Sequence, residues 1–140
     1  MLHLVKLAVG VRDVEHLRAL QAERVARQPP LRHRTRNRPR RAAEVVDGGS
    51  LYWVVSGAVL VRQRITDIVE DRWEDGSRCS GLLLDPLLVS VAGRPMKPFQ
   101  GWRYLAAADA PADLDAMPEP QGGADLPAAL RRELVALCLI

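Results

Sequence analysis

Arginine occupies every second position from Arg32 to Arg40 in the stretch RHRTRNRPRR, and Arg41 follows directly. In an extended chain, alternate side chains project to one side about 7 Å apart, so this spacing predicts a row of guanidinium groups. Such groups bind phosphates through paired hydrogen bonds, which favours a nucleic-acid-binding surface. Two alternatives are a surface for an acidic protein and a charged edge that prevents aggregation. We call residues 32–41 the arginine ladder.

Two more arginines, Arg62 and Arg64, lie on one face of a predicted strand and extend the candidate set if that strand runs beside the ladder. The predicted nucleic-acid-binding residues are therefore Arg32, Arg34, Arg36, Arg38, Arg40, Arg41, Arg62 and Arg64.

Aromatic and basic residues are interleaved in RPMKPFQGWRY. Aromatic rings stack on unpaired bases while cations hold the phosphate backbone, so this mixture is typical of a single-strand or modified-base pocket. The predicted base-stacking pocket consists of Tyr52, Trp53, Phe99, Trp102, Arg103 and Tyr104. The competing interpretation for Trp53 and Trp102 is that they fill a small hydrophobic core.

Evidence for catalysis is weak. No glycine-rich phosphate loop, nucleophile elbow or metal-ligand spacing occurs, so no catalytic residue, metal or cofactor is predicted. Ser50 and Cys79 are the only candidate nucleophiles, and they leave a small hydrolase as a minor alternative.

The 140 residues fit one domain, predicted to span residues 1–140, and the hydrophobic fraction of 48% is that of a globular protein. Residues 1–64 hold 13 Lys/Arg against 5 Asp/Glu, whereas residues 65–140 hold 7 against 12. This asymmetry indicates one cationic and one acidic surface. The apolar start is interrupted at His3 and Lys6, so we expect neither a signal peptide nor a membrane span, and a cytoplasmic location by default.

The order of elements predicts a small α+β domain with a curled antiparallel sheet or open barrel. A strand at residues 2–9 precedes a helix at 14–28, which Asp13 caps, and a short helix is predicted at 40–46. A three-stranded antiparallel meander then follows, with tight turns at Ser56-Gly57 and at Asp75-Gly76.

The end of the chain predicts further elements. LLVSVAG and WRYL each favour one more strand, and residues 106–124 favour a surface linker. A C-terminal helix is predicted at 125–140, packed on the sheet or on a partner.

Two resemblances follow from these stretches. At RTRNRPRRAAEVVDGGSLYWVVSGAVLVRQRI and KPFQGWRYL the chain resembles an uncharacterised bacterial domain-of-unknown-function family over nearly its full length. More loosely, the order of basic segment, short helix, Asp-Gly-Gly, strand, tight turn and strand is similar to PUA-like domains of the ASCH and EVE groups. That similarity implies a pocket for RNA or a modified base, by analogy of fold.

These observations favour a module that binds RNA or a modified nucleobase through the ladder and the aromatic pocket. The alternative is a structural or adaptor protein that binds an acidic partner or associates with a second copy of itself.

Overall fold

A computed structural model of the chain describes residues 1–114. These residues form a mixed α+β fold, which confirms the predicted class. The elements are β1 (Leu2–Leu7), α1 (Val14–Arg27), β2 (Arg32–Thr35), α2 (Ala42–Val46), β3 (Ser50–Val55), β4 (Ala58–Arg72), β5 (Arg78–Leu84), β6 (Val89–Pro95) and β7 (Trp102–Ala106). The helix predicted at 125–140, and the linker beyond residue 114, lie outside the described residues.

The strands form an open sheet in the order β2-β5-β4-β3-β1-β7, with β6 also paired to β4. The prediction of a purely antiparallel sheet is wrong, because β1 and β3 run parallel, with Leu4 opposite Leu51. Residues 8–49 connect these two strands through α1, β2 and α2, and a crossover of that length returns the chain in the same direction.

The meander was predicted correctly. β3, β4 and β5 pair in sequence order and antiparallel. Ser56 and Gly57 make the first turn with φ of 51° and 85°, the left-handed geometry that two-residue hairpins require. Gly76, with φ of 86°, serves the second turn. LLVSVAG and WRYL likewise form β6 and β7.

The sheet is buried on both faces. On the face that packs against α1 and α2, which we call the helix face, β3 contributes Leu51, Trp53 and Val55. On the opposite face it contributes Tyr52 and Val54, within a smaller cluster. Since alternate residues of a strand point to opposite faces, neighbouring aromatic residues are separated by the sheet itself.

Helix α1 begins as predicted at Asp13, whose carboxylate accepts a hydrogen bond from the His16 N–H at 2.7 Å. Its inner face is partly polar, because the buried residues are Leu17 and Gln21. Val25, an apolar residue near the end of the helix, is 37% exposed. The helix end therefore leaves the core before its last turn.

A buried amide pair joins α1 to the sheet. The side chains of Gln21 and Gln63 exchange hydrogen bonds of 2.7 and 2.8 Å, and the Trp53 indole N–H donates to Gln63 at 2.8 Å. Gln63 is fully buried. Buried polar groups are costly unless paired, so this network fixes where α1 sits on the sheet.

Replacing Gln63 tests the network. We expect Gln63→Leu to lower the free energy of unfolding by about 3 kcal/mol, because it leaves the Gln21 amide and the Trp53 N–H buried without partners. Urea denaturation measures the change. Leu87→Ala, at a position 66% exposed, is the control and shifts stability by at most about 0.5 kcal/mol. A loss below about 1 kcal/mol in Gln63→Leu contradicts this role.

None of the helices within residues 1–114 is long and apolar enough to cross a membrane.

Candidate nucleic-acid interface

A cleft of about 420 Å³ opens between the C-terminal turn of α1, the edge strand β2 and the β4–β5 hairpin. We call it the β2 cleft. Four arginines line it, Arg24 and Arg27 from α1 and Arg32 and Arg34 from β2. Trp73, which is 38% exposed, lines it from the hairpin. The cleft thus combines cations with an accessible aromatic ring.

The two β2 arginines share one carboxylate. The Nε atoms of Arg32 and Arg34 lie 3.3 and 3.2 Å from the same Asp71 Oδ2 atom. Partial desolvation opposes ionisation of Asp71, but hydrogen bonds from the Arg72 N–H and from Arg34, with the charge of Arg32, hold its pKa below the usual range. One carboxylate neutralises one guanidinium, so the trio carries a net positive charge.

The reach of Asp71 depends on a glycine. Asp71 lies on β4 and the arginines on β2, and β5 runs between these strands. Gly81 of β5 pairs with Arg34, and a Cβ atom placed on it would lie 3.0 Å from Asp71 Oδ2. The bare backbone at Gly81 therefore lets the carboxylate pass over β5 to the arginines.

The α1 wall is also incompletely neutralised. Arg27 pairs with Glu23 at 2.6 Å on the exposed side of the helix. Arg24 forms no ion pair within residues 1–114. Glu74 is the acidic residue among those that line the cleft. Arginine therefore predominates on both walls.

His33 also lines the cleft, and its ring lies edge-on to Trp53 at a centroid distance of 5.2 Å. Its Nε2 atom is buried and has no hydrogen-bond partner among the described residues. Desolvation, with the nearby charges of Lys6 and Arg24, lowers its pKa to about 3. The imidazole in the cleft wall is therefore neutral at physiological pH.

This burial predicts a pH dependence of stability. Unfolded His33 takes up a proton near its ordinary pKa of 6.5, whereas the folded side chain stays neutral until about pH 3. The free energy of unfolding therefore falls as the pH drops from about 6.5 towards 3, by up to about 1.4 kcal/mol per pH unit. Urea denaturation across this window should give a flatter profile for His33→Phe than for the wild type. Parallel profiles would contradict a buried neutral imidazole.

The ladder leaves the sheet after Thr35, so the prediction of one extended row is wrong beyond that residue. Pro39 is fully buried and anchors the bend. The Asn37 carbonyl accepts a hydrogen bond from the Trp102 indole at 2.9 Å, and the Arg41 N–H donates to the Tyr104 hydroxyl at 3.1 Å. Residues 36–41, which we call the strap, therefore connect edge strand β2 to edge strand β7.

The strap arginines have different partners. Arg38 donates to the Ile68 carbonyl at 3.1 Å, and Arg41 pairs with Glu44. Arg36 and Arg40 are exposed, and neither forms an ion pair within residues 1–114. The strap thus presents cations to solvent.

Arg62 and Arg64 lie apart from the ladder, because β2 pairs with β5 and not with their part of β4. Both Arg62 Nε and Nη2 donate to the Asp113 carboxylate at 2.6 Å. Arg64 donates to backbone carbonyls, including that of Val46 at the end of α2 at 3.0 Å. Their guanidinium groups are therefore engaged inside the protein.

The six predicted pocket residues are divided by the sheet. Tyr52 and Phe99 pack in the cluster of the opposite face, where the Arg103 guanidinium lies 4.4 Å from the Phe99 ring centroid. Trp53 is buried on the helix face. Trp53 meets the ladder at His33, whereas Trp102 and Tyr104, edge-to-face at 4.9 Å, meet the strap. The structure therefore brings this pair together with the strap and leaves the other four elsewhere.

Trp73 escaped the sequence reasoning. It directly follows β4 and precedes the turn Glu74-Asp75-Gly76-Ser77. Because acidic residues follow it, the sequence indicated only the end of a hairpin strand there. Its position beside a turn could have identified it, because a tryptophan at a hairpin end is less easily buried in the core.

Within residues 1–114, neither candidate nucleophile donates a hydrogen bond to a base. The Ser50 hydroxyl accepts a hydrogen bond from Arg62 at 3.1 Å, while His3 Nδ1 accepts from the Ser50 backbone N–H at 3.0 Å. Desolvation raises the pKa of the buried Cys79 thiol. Residues 1–114 contain no cluster of side chains suited to a metal ion.

The model of the family described as "Protein of unknown function (DUF1489)" matches residues 4–140. The protein belongs to this family, which confirms the resemblance to a domain-of-unknown-function family over nearly the full chain. Neither the curated proteins nor the solved structures that were searched gave a match.

Proposed function

We propose that this member of the DUF1489 family binds single-stranded RNA, or a nucleotide with a modified base, in the β2 cleft. The observation that carries the proposal is the Arg32–Asp71–Arg34 trio, in which two guanidinium groups share one carboxylate beside an exposed tryptophan. Phosphates would take the arginines, and a base would stack on Trp73.

Electrostatics support phosphate as the ligand group. A phosphate can accept charge-assisted hydrogen bonds from both guanidinium groups through different oxygen atoms. In the protein alone, the two arginines share a single carboxylate oxygen of Asp71. Arg24 adds a cation from the opposite wall. Because the trio is already positively charged, a phosphate can bind without displacing Asp71.

The exposed ring supports a nucleic acid over an acidic protein. Both ligands offer anions, but a base also gains from stacking on Trp73, a contact typically worth 1–3 kcal/mol per base. An acidic protein partner, or a second copy of the chain, remains the alternative ligand of the same arginines.

A PUA-like fold is part of the proposal. Its support is the observed order of basic segment, α2, Asp47-Gly48-Gly49, β3, tight turn and β4. This analogy concerns the fold and does not by itself assign a ligand.

The first test is the salt dependence of RNA binding. Two phosphates in the cleft should contribute about −1.4 to the slope with which the logarithm of the affinity for a labelled oligouridylate falls against the logarithm of salt concentration. Fluorescence anisotropy measures the slope. The double substitution Arg32→Ala/Arg34→Ala should weaken binding at least tenfold and flatten the slope by about 1.4.

The matched control is Arg18→Ala, which removes an arginine from α1 that pairs with Glu15 outside the cleft. It should leave the affinity unchanged. Equal effects of both variants would mean that net charge, and not the cleft, governs binding. No binding at low salt would refute the proposed function.

A second test removes the competing carboxylate. Asp71→Asn should raise the affinity for the same oligouridylate about fivefold, because it frees both arginines and removes about 1 kcal/mol of repulsion towards phosphate. Titrations of both proteins at equal salt give the ratio. A lower affinity in Asp71→Asn would show that the carboxylate is needed to position the arginines.

A further inference from the structure

We infer that the strap and Tyr104 form a second RNA contact, continuous with the β2 cleft, so that one single strand runs from the cleft to the edge strand β7. This inference rests on the proposed function and adds the form of its ligand: an unpaired strand several nucleotides long.

The charge of the ladder continues past the cleft. Among the described residues, its six arginines pair with two carboxylates, those of Asp71 and Glu44, which leaves a net charge of +4. Arg36 and Arg40 carry two of these charges at exposed positions. The backbone of a single strand needs such a series of cations along its path.

Tyr104 is an accessible ring in a fixed position. Its side chain is 37% exposed, Trp102 packs edge-on against it at 4.9 Å, and its hydroxyl accepts from the Arg41 N–H. The Arg41 guanidinium lies 5.8 Å from the ring centroid. Bases stack both on aromatic rings and on guanidinium planes, and a ring already held in place loses little entropy on binding.

The two contacts are close along the chain. Arg34 lines the β2 cleft, and the Asn37 carbonyl already bonds to Trp102 of β7. Three residues span at most about 11 Å, so a strand of a few nucleotides bridges both places. Arg36, an exposed arginine, lies between them in the sequence.

The competing explanation is that Tyr104 only holds the strap in place, through the hydrogen bond that its hydroxyl accepts from the Arg41 N–H. Tyr104→Phe separates the two roles, because it removes the hydroxyl and keeps the ring. Tyr104→Ala removes both.

The experiment compares a 5′-phosphorylated uridine dinucleotide, whose two phosphates are enough for the cleft, with an oligouridylate of about 12 nucleotides, a length within the usual site sizes of single-strand binders. We expect the wild type to bind the longer ligand at least tenfold more tightly. Tyr104→Ala should lose about tenfold in affinity for the longer ligand, while Tyr104→Phe stays within about twofold. Arg36→Ala/Arg40→Ala should flatten the salt slope of the longer ligand by about 1.4. Neither Tyr104→Ala nor Arg36→Ala/Arg40→Ala should change dinucleotide binding, and circular dichroism checks that each protein is folded.

The outcomes separate this inference from the proposed function. Equal affinities for both ligands, with no effect of the strap substitutions, would overturn the second contact and leave the cleft in place. Equal losses of affinity in Tyr104→Phe and Tyr104→Ala would show that Tyr104 acts only through its hydroxyl group. That result would also overturn the second contact. Failure of both ligands to bind would refute the cleft as an RNA site, and the inference with it.

Discussion

Three parts of the candidate interface, namely α1, β2 and the strap, are held by the single strand β4. Gln63 holds α1 through the buried amide pair, and Asp71 holds the two arginines of β2. The Ile68 carbonyl accepts from the strap, and Arg64 donates to the end of α2. Because β4 also pairs with β3, β5 and β6, these anchors share one rigid backbone. The cleft and the strap are therefore ordered relative to each other in the protein alone.

This anchoring explains how so many arginines are positioned with few acids. Hydrogen bonds of the strap backbone, at the Asn37 carbonyl and the Arg41 N–H, fix this segment. They do not neutralise the charge of its arginines. Within residues 1–114, only Asp71 and Glu44 pair with ladder arginines. A site that is held in place yet still cationic can bind phosphates without first ordering its own side chains.

The sequence predicted what depends on local chemistry. The Asp13 cap, the Ser56-Gly57 turn and the meander each follow from neighbouring residues. The parallel pairing of β1 with β3 did not, because strand partners are chosen over a separation of more than 40 residues. The site was predicted only in part, because it too depends on the pairing of distant strands. Arg32 and Arg34 were visible as a pattern, but their convergence with Trp73 depends on how β2 pairs with β5.

The central claim is that an RNA strand occupies the β2 cleft, and ultraviolet crosslinking followed by mass spectrometry tests it most directly. Light attaches a stacked base to the aromatic ring beneath it, so the crosslinked peptide identifies the contact. With bound oligouridylate, we predict a crosslink at Trp73 that is lost in Arg32→Ala/Arg34→Ala. Crosslinks confined to residues outside the cleft and the strap, or unchanged by that double substitution, would contradict it.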